Sequence, residues 1–306
     1  MANSISTVGL LSPGAMGHAI GGVLRQNGLR VITCLDGRSE RSRALADKAG
    51  IEAVPSIEDL VDQAQILLCV LVPARAVEVA EQVARAVRAT NADLLYVDCN
   101  AIAPRTAREV GRIMSDAGAR VADVGIIGQP PTKPGTKFYV SGPGAAEFRE
   151  LANHGLDVRP LGPEMGQASG FKMCYGALTK GIQALATESL IAAEQLGLSD
   201  ALRAEQQDSV APIFGWLEKQ LPSMPPRAYR WVGEMEEIAM TFDDLGMTPR
   251  MLLGAADVYR FVTDTALGQE TPETRDPNRT MPQVISGLAE ELELPDTAVS
   301  SGDKAL

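Results

Sequence analysis

The chain is poor in the residues that most metal sites are built from, with 2 histidines and 4 cysteines among 306 residues. Cys34, Cys69, Cys99 and Cys174 are scattered and form no C-x-x-C pair, so no metal site is expected. Three of the four sit in apolar, strand-like runs, the pattern of reduced core thiols in a cytosolic protein. Long hydrophobic runs are also missing. The longest, Ile66 to Val72, is far too short to cross a bilayer. Basic residues are outnumbered, 28 Lys and Arg against 39 Asp and Glu for a net charge of −11, and they form no block. That balance argues against nucleic acid and anionic membranes as partners. An acidic chain that binds an anion must use a local device, such as a helix N-terminus or a few placed arginines. The opening residues show no basic region leading into an apolar stretch, so no signal peptide is expected and a cytoplasmic location is.

What is present is a globular composition, 45% hydrophobic, in a length that suits two domains. The first half alternates short β-branched runs with amphipathic stretches. Strands are predicted at Thr7–Leu11, Arg30–Leu35, Ile66–Val72, Asp93–Asp98, Arg120–Val124, Lys137–Ser141 and Asp157–Leu161. Helices are predicted between them at about 15–27, 39–49, 56–63, 74–90, 104–117 and 145–153. Ser56 and Asp59 have the spacing of a capping box. Such alternation implies βαβ units and a doubly wound, mostly parallel sheet. After Gly162-Pro163 the rhythm changes to helices alone: one long pattern from Met165 to Leu196, then about 199–221, 227–245, 249–266 and 281–293. The last dozen residues read as a frayed tail. The expected fold class is α/β, with a doubly wound Rossmann-type domain over 1–164 and an all-α domain over 165–306.

The first strand runs into Ser12-Pro13-Gly14-Ala15-Met16-Gly17 and then a helix, the position of a phosphate-binding turn. The pattern is S-x-G-x-x-G, with Ser12 where such turns begin on glycine. Gly14 lets the backbone approach a pyrophosphate, Gly17 lets the helix pack on the strand, and the helix N-terminus attracts the phosphate charge. Ser12, Pro13, Gly14, Ala15 and Met16 are therefore candidate cofactor contacts. Asp36, at the end of the second strand, is placed to hold a ribose hydroxyl and so to favour NAD. Arg38, Ser39 and Arg41 follow at once and suit a 2′-phosphate, because guanidinium forks and a hydroxyl orient and neutralise it. NADP is the favoured cofactor, with NAD the alternative.

Gly9-Leu-Leu-Ser-Pro-Gly-Ala-Met-Gly17 resembles the opening of the β-hydroxyacid dehydrogenases, which include the 3-hydroxyisobutyrate and 6-phosphogluconate dehydrogenases. Three further segments fit in order. Leu71-Val72-Pro73 resembles the strand end beside the cofactor. Asp98-Cys-Asn100-Ala-Ile-Ala-Pro104 resembles the family's D-x-S-T-x-x-P stretch. Gly166-Gln-Ala-Ser-Gly-Phe-Lys172 resembles the start of the helix that carries the catalytic lysine. The resemblance implies a fold, a nicotinamide cofactor touched by Val72, Pro73 and Asn100, a homodimer paired through the helical domains, and Lys172 as general acid and base.

The departures fall where substrate is read. The family's D-A-P-V-S-G-G loop appears as Asp123-Val-Gly-Ile-Ile127-Gly128-Gln129, and its asparagine four residues beyond the lysine is Gly176. Candidate substrate contacts are Asn100, Ile127, Gly128, Gln129, Tyr175, Gly176 and Thr179, and a pocket larger or less polar than that of 3-hydroxyisobutyrate is expected. Asn100 also reads as a turn-former at a strand end. Residues 172, 176, 179 and 180 share a helix face by spacing. Most helical lysines are merely solvated, and a free lysine titrates at about 10.4, too high for a good base. Partial burial and a nearby oxidised nicotinamide would lower that value.

The expected function is hydride transfer between a nicotinamide cofactor and a hydroxy acid or related small alcohol. The alternatives are an imine reductase-like enzyme, whose members usually replace the lysine, and a non-catalytic NADP(H)-binding sensor. The polar-aromatic stretch Arg227–Glu237 reads as the solvated face of a helix with Trp231 tucked inward, and no role is expected of it.

Overall fold

The computed structural model describes residues 5–132 and 134–292. The predicted tail, and residue 293 of the last predicted helix, lie outside that range.

Eight strands form one sheet in the order β3-β2-β1-β4-β5-β6-β7-β8. They are β1 (Thr7–Leu11), β2 (Arg30–Cys34), β3 (Glu52–Val54), β4 (Ile66–Cys69), β5 (Leu95–Asp98), β6 (Arg120–Ile127), β7 (Lys137–Ser141) and β8 (Asp157–Gly162). Six run parallel, and β7 turns back antiparallel to β6 before β8 continues parallel to β7. The helices between strands are α1 (Gly17–Gln26), α2 (Glu40–Ala49), α3 (Ile57–Gln63), α4 (Ala76–Thr90), α5 (Pro104–Ser115) and α6 (Ala145–Phe148). Order 3-2-1-4-5-6 is the doubly wound arrangement, in which ligands bind beyond the carboxyl ends of the strands where the order reverses, here beyond β1 and β4. Val8 and Leu10 of β1 enter one core beneath the sheet, and Leu11 enters the other with Ile32, Leu67 and Tyr96. Both faces are covered, which is why the central strands read as unbroken apolar runs.

The all-helical part consists of α7 (Gln167–Gln195), α8 (Ser199–Ser209), α9 (Ala211–Gln220), α10 (Ala228–Asp244), α11 (Arg250–Asp264) and α12 (Met281–Glu290). The chain divides into two compact units. One holds the residues through Ala177 plus Glu236–Pro249; the other holds Leu178–Met235 and the described residues from Arg250 onward. Both α7 and α10 contribute to each unit.

Four differences from expectation have physical causes. The single helix predicted at 199–221 breaks at Val210, because Pro212 lacks the N–H that a continuous helix would use. Strand β3 has three residues, of which only Val54 is buried, too little alternation to read. Strand β4 stops at Cys69 rather than Val72, because the Leu71 N–H leaves the ladder for the Asn100 side chain. Strand β6 runs three residues beyond Val124, because β7 pairs with it as far as Ile127. The Ser56 cap is as expected, with its Oγ accepting from the Asp59 N–H at 3.0 Å.

Candidate functional site

The turn after β1 is shaped by its own carbonyls. The Ser12 carbonyl accepts from the Gly14 N–H at 2.8 Å, and the Gly14 carbonyl accepts from the His18 N–H at 3.0 Å. His18 Nδ1 lies 2.7 Å from that same carbonyl, so Nδ1 is the protonated nitrogen. A β-carbon on Gly17 would stand 2.1 Å from the Ser12 oxygen, so only glycine fits where α1 crosses the turn. A β-carbon on Gly14 would meet nothing within 4 Å. The turn thus presents open space over a backbone with no side chain at that position. Met16 offers α1 no side-chain cap, and the first turn carries no acid. This N-terminus fits a diphosphate.

Beyond β2, Asp36 is exposed and Arg38 is half-buried. Ser39 caps α2, its Oγ accepting from the Ser42 N–H at 3.3 Å, and Arg41 is exposed in the first turn. Arg43, which was not singled out, braces the turn from below by donating to the Leu35 carbonyl at 2.6 Å.

The ends of β4 and β5 are joined by a buried polar relay. Asp98 is fully buried and Asn100 is 1% exposed. Asp98 Oδ1 accepts from the Asn100 N–H and Oδ2 from Asn100 Nδ2, each at 2.9 Å. Asn100 Oδ1 in turn accepts from the Leu71 N–H at 2.5 Å. The amide of Asn100 is therefore spent on holding the chain entering Val72 and Pro73, of which Val72 is exposed and Pro73 buried. Burial pushes the Asp98 carboxyl up to about 7, and the facing Asp123 adds to the rise; the Asn100 bonds and the charge of Lys172 oppose it.

Helix α7 is docked onto β6 at its first turns. Asp123 is buried, and its carboxylate accepts from the Gly166 N–H at 3.0 Å, the Ser169 N–H at 2.9 Å and Ser169 Oγ at 2.7 Å. It is the acceptor that a helix N-terminus needs, supplied from the sheet. Gly125 allows the contact to be close, since a β-carbon there would lie 2.6 Å from the Ala168 oxygen and 3.2 Å from Lys172 Cβ. Lys172, half-buried, stands over β6, and its charge reaches Asp98 and Cys99 at the end of β5. Four sequence-predicted elements thus converge: Lys172, the Asp98–Asn100 stretch, Leu71–Pro73 and the Asp123–Ile127 strand. Ile127 is half-buried, Gly128 and Gln129 are exposed, Gly176 is buried, and Tyr175 is half exposed.

Thr179 and Lys180 belong to the other compact unit. Lys180 Nζ pairs with Glu234 at 2.7 Å, both side chains 16% exposed, and lies 5.7 Å from the Trp231 ring centre. The Tyr259 hydroxyl donates to the Lys180 carbonyl at 2.7 Å. These contacts make Lys180 a strut between helices.

Sequence reasoning passed over Asp98, Asp123 and His18 as working groups. The signal for Asp98 was a carboxylate closing an otherwise apolar strand, Leu95-Tyr96-Val97-Asp98. Nothing local marked Asp123 as a cap for residues more than forty positions away. Glu237 was likewise missed: it accepts from the Ala103 N–H at 2.7 Å and caps α5.

Residues 4–153 match the NAD-binding domain of 6-phosphogluconate dehydrogenase, and residues 193–262 match a domain of unknown function, DUF1932. An uncharacterised 28.5 kDa protein of Methanothermus fervidus is 30% identical over 174 residues, a match covering 57% of this chain and 66% of that protein, just under two thirds. A conserved protein of unknown function, reported as structurally similar to 3-hydroxyacid dehydrogenases, superimposes with a TM-score of 0.64 at 28% identity, over 84% of this chain and 97% of that one. The 3-hydroxyisobutyrate dehydrogenase of Mycobacterium tuberculosis, solved with L-serine, gives a TM-score of 0.64 at 19% identity, over 85% of this chain and 94% of that one. The chain carries a nicotinamide-dinucleotide-binding domain of Rossmann type within a 3-hydroxyacid dehydrogenase fold. More particularly, the match is to the 6-phosphogluconate dehydrogenase type of that domain over residues 4–153 and to a DUF1932 domain over residues 193–262.

Proposed function

We propose that this chain is an NAD(P)-dependent oxidoreductase acting on a hydroxy acid or related small alcohol, with Lys172 as its proton-transfer residue. The observation that carries the reading is the docking of α7 through Asp123 and Gly125, which holds Lys172 over the end of β5. Bound at the Ser12–Gly17 turn, a nicotinamide dinucleotide would supply the hydride donor or acceptor. The turn backbone, with Pro13, Gly14, Ala15 and Met16, holds the diphosphate at the α1 N-terminus. Through their guanidinium forks Arg38 and Arg41 favour a 2′-phosphate over the bare ribose that Asp36 would hold, while the Ser39 hydroxyl is engaged as a cap. NADP is therefore preferred.

Lys172 Nζ accepts the proton of the substrate hydroxyl in oxidation and returns it in reduction. A positioned acid or base contributes about two to four powers of ten in rate. Asn100 acts by fixing Leu71 and so the wall formed by Val72 and Pro73. Ile127, Gly128, Gln129 and Tyr175 border the substrate, with Gly176 and Thr179 on the same helix. With Ile127 and Gly176 in place of polar groups, short acids such as 3-hydroxyisobutyrate are poor substrates. Two copies pair through the all-helical part, residues 165–306.

The test is a spectrophotometric screen of both cofactors against hydroxy acids, aldehydes and imines, then single-turnover kinetics on Lys172→Ala. The variant should bind cofactor normally and transfer hydride about a hundredfold to ten-thousandfold more slowly. Near-normal hydride transfer in Lys172→Ala removes the lysine from the mechanism. A wild type that binds NADP(H) and turns over nothing in the panel is the sensor outcome.

A further inference from the structure

His18, at the head of α1, is a titratable group that the hydride-transfer reading leaves without a task. Its backbone N–H and its ring Nδ1 both reach one acceptor, the Gly14 carbonyl, at 3.0 and 2.7 Å. The ring bond is the shorter, and Nδ1 must carry the hydrogen because a carbonyl oxygen only accepts. The side chain is half-buried. The far end of α1 repeats the arrangement: the Asn27 N–H and its Nδ2 both donate to the Val23 carbonyl, at 3.1 and 2.8 Å. There the paired bonds close the helix. At His18 they fall on the turn read as the diphosphate site.

What the ring holds is a peptide plane. The amide joining Gly14 to Ala15 is planar and trans, so its N–H points opposite to its C=O. With the carbonyl drawn along α1 toward His18, the Ala15 N–H is aimed out of the helix end. Among the described residues it donates to nothing. The Gly14 N–H is tied to the Ser12 carbonyl at 2.8 Å, so both peptide planes that flank this glycine are held. The space over Gly14 stays clear, since nothing, the imidazole included, lies within 4 Å of where a β-carbon would stand. An amide left to swing about a glycine would have to be ordered by the ligand, which weakens binding.

We infer that His18 is a positioning residue of the dinucleotide site. Its Nδ1–H pins the Gly14 carbonyl, so that the Ala15 N–H is set toward the diphosphate before the ligand arrives. The inference rests on the reading of Ser12–Gly17 as the diphosphate turn, which the match of residues 4–153 to an NAD-binding domain supports. The ring acts as a hydrogen-bond donor and through Gly14. Its charge has no part in this, because Nδ1 keeps its hydrogen whether or not Nε2 is protonated.

The experiment titrates NADPH and NADH, each by isothermal calorimetry, into the wild-type chain, His18→Phe and His18→Asn. Phenylalanine keeps a flat ring and loses the donor. Asparagine carries its amide nitrogen on Cγ, as histidine carries Nδ1, and Asn27 shows such a nitrogen reaching the carbonyl four residues back. His18→Phe should weaken both dinucleotides by about three- to tenfold, the worth of one neutral hydrogen bond. His18→Asn should stay within about twofold of wild type. The ratio of wild-type to His18→Asn affinity should not change between pH of about 5 and 8, where imidazoles titrate. Melting without ligand checks folding; should His18→Phe not fold, His18→Ala takes its place. The inference is overturned if His18→Phe binds like wild type or if His18→Asn is as weak as His18→Phe. It is also overturned if the wild-type advantage over His18→Asn grows as pH falls, which would make the ring a charge on the phosphates. A wild type that binds neither dinucleotide overturns the oxidoreductase reading as well, whereas unchanged binding by His18→Phe overturns this inference alone.

Discussion

Replacing Asp98 by Asn tests whether the buried relay at the end of β5 titrates as its surroundings dictate. Burial holds the Asp98 carboxyl at about 7, against an ordinary value of 3.8. Between those values the folded protein keeps a proton that the unfolded chain has released. A carboxyl raised in this way adds stability that is complete below pH of about 3.8 and is lost as pH rises through about 7. A shift of roughly three units at about 1.4 kcal/mol each corresponds to about 4 kcal/mol across the window. Asp123 faces Asp98 and is also raised, chiefly by burial, so removing one charge eases ionisation of the other. The two therefore titrate as a pair, and the 4 kcal/mol belongs to the pair.

At low pH the variant should be the less stable protein. An amide nitrogen would then face Asn100 Nδ2, donor against donor, where the carboxyl Oδ2 accepts at 2.9 Å. Leaving such a donor unsatisfied costs about 1–3 kcal/mol. As pH rises the wild type loses its advantage and the variant does not. The difference between them should close and reverse as pH rises from about 3.8 to about 7. Urea midpoints measured at half-unit steps of pH read this directly, provided the m-value is common to both proteins. Parallel midpoint curves for wild type and Asp98→Asn would refute the reasoning, because the titrating group would then lie elsewhere.

Three further outcomes are expected. Lys180→Ala should lower stability rather than slow the chemical step, because it removes the cation paired with Glu234 in a shielded site; chemical denaturation should show a loss of up to about 3–5 kcal/mol. Arg38→Ala should remove most of the preference for NADPH over NADH, by about one to two powers of ten in Kd, as read by fluorescence titration; a wild type that prefers NADH assigns the ribose to Asp36. Gly125→Ala should leave cofactor affinity near normal and slow hydride transfer by about a hundredfold, because its β-carbon pushes α7 and Lys172 off β6; unchanged turnover would mean that α7 tolerates the shift.

The sheet, the turn after β1 and the place of Lys172 near the head of a long helix are legible in the sequence. Strand β1 and its turn are legible because a phosphate-binding turn is local: Ser12 to Gly17 carry their own geometry, and the Ser12 carbonyl excludes any side chain at Gly17. Parallel strands buried on both faces announce themselves as apolar runs, and Lys172 stands out by its place at the head of a long helix. Tertiary structure decided what each polar group is spent on. Asn100 reads as either a ligand contact or a turn-former, and only the approach of Leu71, 29 residues away in sequence, shows that its amide is used internally. Lys172 and Lys180 look alike along one helix. One faces the end of β5 because Asp123, on another strand, caps α7; the other faces Glu234 on α10. Hydrogen-bond partners distant in sequence leave no periodic trace, so Asp123 and Glu237 were missed because the fold alone supplies their partners, whereas Asp98 bonds to Asn100 two residues on and was passed over as the end of an apolar strand.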